Sequence, residues 1–144
     1  MDRARSSLGN RKRGHAVLEL ALLSPWIFFL FAGAMDMGFY AYAMISTQNA
    51  ARVAAEYTSY RLALAGNSDV ACQYALGEMS TLSNVRNLTS CGAAPLVVAA
   101  RSLTDSDGAT ATEVTVTYTT AQLIPIPGVT GKLTITRKVQ MRVL

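Results

Sequence analysis

Charge is what this chain has little of: Asp, Glu, Lys and Arg make up 15% of its 144 residues, against roughly 25% in soluble domains. Histidine is scarcer still. The single imidazole, His15, cannot build a Ser/His/Asp or Cys/His constellation in the rest of the chain. The two cysteines, Cys72 and Cys91, have no companion Cys or His at zinc-ligand spacing. Glycine-rich phosphate loops and paired carboxylates facing a cleft are missing from the spacing too. The length suits one modest domain and excludes a large multidomain enzyme. The chain therefore reads as non-enzymatic, with no metal and no cofactor.

The missing charge is concentrated. Residues 20–35 contain no Lys, Arg, Asp or Glu, and residues 15–35 give 21 positions interrupted only by Glu19. About 20 mainly apolar residues cross the roughly 30 Å of a bilayer core. On an insertion scale Leu20, Leu22, Leu23, Ile27, Phe28, Phe29, Leu30 and Phe31, at about −0.3 to −0.6 kcal/mol each, offset one acid at about +3. Residues 15–45 are accordingly expected to form a membrane-spanning helix.

Residues 1–14 carry Arg3, Arg5, Arg11, Lys12 and Arg13 against Asp2, so the formal +4 of the chain resides in this basic leader. Positive flanks stay on the cytoplasmic side, which places residues 46–144 outside. The later cations are scattered among acids, and nucleic-acid binding is not expected. Cys72 and Cys91 then lie where thiols are oxidised. A disulfide between them, closing 19 residues, is expected over the alternative of two free thiols, and it would contribute about 3 kcal/mol in the chain-entropy account.

A secretory signal would share the basic start, and Ala41-Tyr42-Ala43 resembles a cleavage site. The apolar run is longer than such signals need, however, and it contains Pro25. A plain uncleaved anchor, acting as a periplasmic binding or scaffold protein, is the other reading, and it leaves Glu19 unexplained. An intramembrane acid is a functional-site hypothesis by default. Cleavage between Gly14 and His15 would create an ammonium about 6 Å of helix rise from Glu19, close enough for its own or a neighbouring helix to pair the two charges.

The stretch RGHAVLELALLSPWIFFLFAGAMDMGFYAYAMISTQNAARVAAEY, residues 13–57, resembles the TadE/TadF-like proteins, the pseudopilins or minor pilins of tight-adherence (Flp-type) pilus systems. The resemblance rests on Gly14 after Arg13, Glu19 five positions on, Pro25, the Asp36-x-Gly38 step and Asn49-Ala50-Ala51-Arg52. It implies a bacterial inner-membrane protein cut by a prepilin peptidase between Gly14 and His15, with Glu19 as the recognition residue. By the same likeness Glu19, Pro25, Asp36, Gly38, Asn49 and Arg52 are assembly positions. The implied partners are membrane lipid, other pilins and the inner-membrane pilus machinery, with the product reaching a pilus or the cell surface.

Beyond the span, Ala43, Thr47, Ala50, Ala51, Ala54, Ala55 and Thr58 recur at helical spacing, so the helix should continue to about residue 64. Such a small-residue face suits either the protein's own core or a neighbouring helix. Asp36 is expected to be solvated where the helix leaves the lipid, with a cation of an assembly partner as the alternative, and Pro25 is expected to kink the helix. A second helix is expected over residues 69–82, with Val70, Tyr74, Ala75, Met79 and Leu82 on one side. Residues 83–94 read as loop; within it Asn87-Leu88-Thr89 is a weak glycosylation triplet. Three strands follow, near residues 96–103, 113–120 and 133–143. The first two are joined by Asp105-Ser106-Asp107-Gly108, which with Glu113 lacks the ligand count of a calcium loop. Residues 124–128, Ile-Pro-Ile-Pro-Gly, make a stiff connection. The expected fold is α+β and pilin-like: a long amino-terminal membrane helix, a second helix and a roughly three-stranded antiparallel sheet.

Overall fold

The computed structural model describes the backbone of residues 6–122 and 131–144, with side chains from His15 onward. The stiff connection at 124–128 and the first five leader residues lie outside the described residues. The chain divides into two units, Met1–Gly38 and Phe39–Leu144.

The first helix, α1, covers Ser6–Ser59, 54 residues including Pro25. It begins within the basic leader and stops five residues short of the expected end. A one-turn 3-10 helix at Leu62–Leu64 takes up the remainder. Ser59 is a workable stop because its carbonyl, orphaned at the helix end, accepts the Leu144 N–H at 3.0 Å.

In the first unit α1 carries its large side chains outward. Val17, Leu18, Leu22, Trp26, Phe28 and Leu30 are each more than 60% exposed. The helix is long and apolar enough to cross a membrane over this stretch.

In the second unit the expected small-residue face is the inward one. Ala43, Thr47, Ala50, Ala51, Ala54, Ala55 and Thr58 are all fully buried. Of the two expected destinations for that face, the protein's own core is the one occupied. Thr47 and Thr58 turn their hydroxyls back to the carbonyls of Ala43 and Ala54, at 2.7 and 2.9 Å, so burial leaves no hydroxyl unsatisfied.

The second helix, α2, spans Ser68–Met79. Asn67 caps it, its Oδ1 accepting the N–H groups of Asp69 at 3.0 Å and Val70 at 3.2 Å. Its buried stripe is Ala71, Ala75 and Met79, continued by Leu82 just past its end. Val70 and Tyr74, expected on that side, are only half-buried. Ala75, Met79 and Leu82 are buried as expected, and Ala71, with the partly buried Cys72 beside it, takes the inward place at the start of the helix.

The sheet has four strands, not three: β1 (Gly92–Ala93), β2 (Leu96–Thr104), β3 (Thr110–Thr119) and β4 (Thr134–Arg142). All are antiparallel, in the order β1-β2-β3-β4. The extra strand is two residues long, too short to show an alternating pattern. It exists because the Ala94-Pro95 turn folds it back on β2. The turn between β2 and β3 forms as expected, with the Asp105 N–H donating to Ala109 O at 2.8 Å and Gly108 at φ +82°. One face of the sheet presents Leu96, Val98, Val114, Val116, Tyr118 and Ile135 to the core. Side chains such as Leu96, Val114 and Val116, fully buried there, contribute about 1.5–3 kcal/mol each.

Candidate functional site

The expected functional residues are strung along α1, and of them Asn49 and Arg52 line one groove with Glu78 and Arg137. Gly14 lies in helical backbone. His15 and Glu19 are exposed, as is the helix around Pro25. Glu19 therefore stands on a surface that is otherwise apolar from Leu20 to Met35, which is the setting in which an acid needs a cation from elsewhere. Gly38 is exposed, with nothing within 4 Å of the position a Cβ would take.

Asp36 corrects an expectation. It is 4% exposed, not solvated, and its Oδ1 has no hydrogen-bond partner among the described residues. The expectation failed because it rested on depth along the helix alone. The residue's phase matters too: position 36 is two helical turns before Ala43, in step with the small-residue stripe.

The two expected assembly positions of the second unit differ from each other. Asn49 Nδ2 donates to Glu78 Oε2 at 2.6 Å and so links α1 to α2. Arg52 is exposed and has no ion pair among the described residues. Cys72 and Cys91 form a disulfide, with Cα atoms 5.7 Å apart, within the usual range. It fastens α2 to the segment entering β1.

Several residues that organise this unit gave little signal in the sequence. Tyr118 is fully buried, and its hydroxyl donates to Asn84 Oδ1 at 2.6 Å while Asn84 Nδ2 donates to Thr119 O at 3.0 Å. Burial raises the Tyr118 phenol above the ordinary tyrosine value. On the outward face of the sheet Glu113, 7% exposed, lies between Arg101 and Lys138 on the neighbouring strands. Lys138 Nζ is 2.6 Å from Oε2; Arg101 Nε stands 2.8 Å from Oε1 without the alignment of a hydrogen bond, so that contact is Coulombic. Arg142 pairs with Asp107 and, at 4.0 Å, with Asp105. Asp105, Asp107 and Glu113 are thus all engaged by cations of the sheet. No cluster of potential metal ligands occurs among the described residues.

Tyr57 on α1 and Tyr74 on α2 stack with ring centroids 3.7 Å apart and planes 8° from parallel, and Tyr60 meets Tyr57 edge-on at 5.7 Å. Helical spacing alone gave no sign of this pairing, because the partners sit on different helices.

What the site residues offer chemically is helix-to-helix recognition: an exposed apolar surface with one acid, leading into a disulfide-stapled α+β unit. Comparison with known proteins points the same way. The family model described as TadE-like protein matches residues 14–56, which is the stretch containing Gly14, Glu19, Pro25, Asp36, Gly38, Asn49 and Arg52. No match to the chain was found among curated proteins or among solved structures. Residues 14–56 are thus similar to the TadE-like family, and the likeness covers that stretch of the chain alone.

Proposed function

We propose that the protein is a minor pilin or pseudopilin of a tight-adherence pilus, a structural subunit and not an enzyme. The observation that carries this reading is the match of residues 14–56 to the TadE-like family model, within which the exposed apolar stretch of residues 15–35 holds a single acid, Glu19. The subunit waits in the bacterial inner membrane with its basic leader in the cytoplasm and residues after about 45 in the periplasm. A prepilin peptidase cuts between Gly14 and His15. The new ammonium of His15 and the Glu19 carboxylate then neutralise one another, within one helix or between neighbours, as the helix enters a bundle of pilin helices. An isolated carboxylate in lipid costs about 2.5–3.5 kcal/mol at mid-depth, and pairing it favours the assembled state over the stored one.

The test is replacement of Glu19 by Ala in cells that build the pilus. The expected result is unchanged membrane insertion with loss of the subunit from sheared pili. Mass spectrometry of the wild-type membrane form is expected to give an amino terminus at His15. Normal incorporation of the Glu19→Ala chain, or a functional wild-type chain still beginning at Met1, refutes the reading.

A further inference from the structure

The two edges of the sheet are finished differently. On the outer side of β2, β1 pairs with Leu96 and Val97, the Val98 N–H donates to Cys91 O at 3.1 Å, and the Ala100 N–H donates to Ser68 Oγ at 3.0 Å. Gly66 closes the row, since a Cβ on it would stand 2.7 Å from the Ser102 nitrogen. That edge is thus covered from Leu96 to Ser102. β4 ends the sheet on the other side, and among the described residues it pairs with β3 alone.

The ladder fixes which β4 groups are open. At its two ends the Thr120 N–H donates to Leu133 O and the Val143 N–H to Thr110 O. Hydrogen-bonded pairs alternate in an antiparallel ladder, so the odd-numbered residues from Leu133 to Val143 turn their backbone toward β3. Thr134, Thr136, Lys138, Gln140 and Arg142 turn theirs away, and the N–H and C=O groups there have no partner among the described residues. Neither proline nor a bulge interrupts the register from Thr134 to Arg142. Such a row is a template for one more strand.

Charge decides what can add. β4 holds Arg137, Lys138 and Arg142 and no acid. An antiparallel twin laid on it in the register of fullest overlap sets Lys138 against Lys138, an unfavourable pair. Glu113 already meets Lys138, and Asp105 and Asp107 meet Arg142. Arg137 has no such acid. With Met44, Ile45, Arg52 and Glu78 it lines the groove beside α1, where neither guanidinium has an ion pair among the described residues. Glu78 is the one acid of that lining and is occupied in accepting from Asn49, so guanidinium exceeds carboxylate there. On the same face of β4 as Arg137, Ile135, Val139 and Met141 are apolar and join the core.

We propose that the free edge of β4 takes up an extended segment of another protein, one whose inward side chains are apolar except for an acid that reaches Arg137 and Arg52. The proposal needs neither the cut at Gly14 nor Glu19. Its probe is a fluorescein-labelled peptide as long as β4, alternating valine and threonine with glutamate in place of the central valine. Added to the full-length protein in detergent micelles and followed by anisotropy, it is expected to bind roughly tenfold tighter than the same peptide with lysine at that place. The double variant Arg52→Gln and Arg137→Gln is expected to erase the difference. Methylating one alternate set of peptide nitrogens should abolish binding to the wild-type protein while methylating the other set should not, because only one set faces β4. A benzophenone amino acid in place of Gln140 should capture the peptide and no second copy of the chain. Failure to bind, equal binding of the lysine peptide, indifference to both methylated sets, or a captured homodimer would each overturn the docking edge, and a dependence of piliation on Glu19 would stand regardless.

Discussion

Gly66 shows how much one residue decides here. It sits at φ +79° between α1 and α2, and a Cβ built on it would lie 2.7 Å from the Ser102 nitrogen of β2. Gly108 has a similar φ of +82° but open space around it. The two positions separate backbone conformation from contact. Replacing Gly108 by Ala should cost about 1 kcal/mol, the left-handed penalty alone. The same change at Gly66 should cost about 2–3 kcal/mol or more, because backbone must also move. Thermal unfolding of the two variants in the same detergent checks this; equal losses would mean that the β2 contact is not rigid. Tyr118 makes a second case at this scale. Its phenol is raised by burial, so the folded state keeps the proton that the unfolded chain releases near pH 10. The stabilisation is complete below that pH and is lost as pH climbs toward the folded value. Tyr118→Phe should flatten this alkaline decline in unfolding titrations. Near neutrality it should cost about 1–3 kcal/mol, since Asn84 Oδ1 loses its donor.

Of the two α-helices, α2 is the one that depends more on its surroundings. It is 12 residues long, a length marginal for an isolated helix. It stays in place through Ala71, Ala75 and Met79 in the core, the Asn67 cap and the Cys72–Cys91 bond. Replacing both cysteines by alanine should lower stability by about 3 kcal/mol, the value for a loop of this length. Reductant should move the wild-type melting temperature toward that of the variant; insensitivity to reductant would show that the bond constrains nothing. The elements also show what was legible in the sequence. The stripe from Ala43 to Thr58 could be read because helical period and residue size agree along it. The strands could be read because Glu113 to Thr120 alternates. β1 could not, being a consequence of the turn at Ala94-Pro95. Glu113 and the Tyr57–Tyr74 stack share that cause: each is placed by another element, and no local pattern encodes the partner.

At the scale of the whole molecule, the chain combines an apolar, exposed helical stretch at residues 15–35 with a unit closed by a disulfide, a bond that forms and persists under oxidising conditions. These two features couple if the orientation is the proposed one. Leader cations held at the cytoplasmic face send residues after about 45 outward, and only then do Cys72 and Cys91 meet oxidising conditions. Reversing the sign of Arg11, Lys12 and Arg13 to Glu removes three of the five leader cations. It should therefore invert a measurable fraction of the molecules. Inverted molecules would keep both thiols in the reducing cytoplasm. Alkylation with a mass-tagged maleimide after acid quenching reads the outcome directly: no adduct on the wild-type chain, two adducts on the inverted fraction. Two adducts on the wild type would place the α+β unit inside the cell and remove the proposed route into a pilus. Unchanged oxidation in the charge-reversed chain would mean that the apolar helix, and not the leader, sets the orientation.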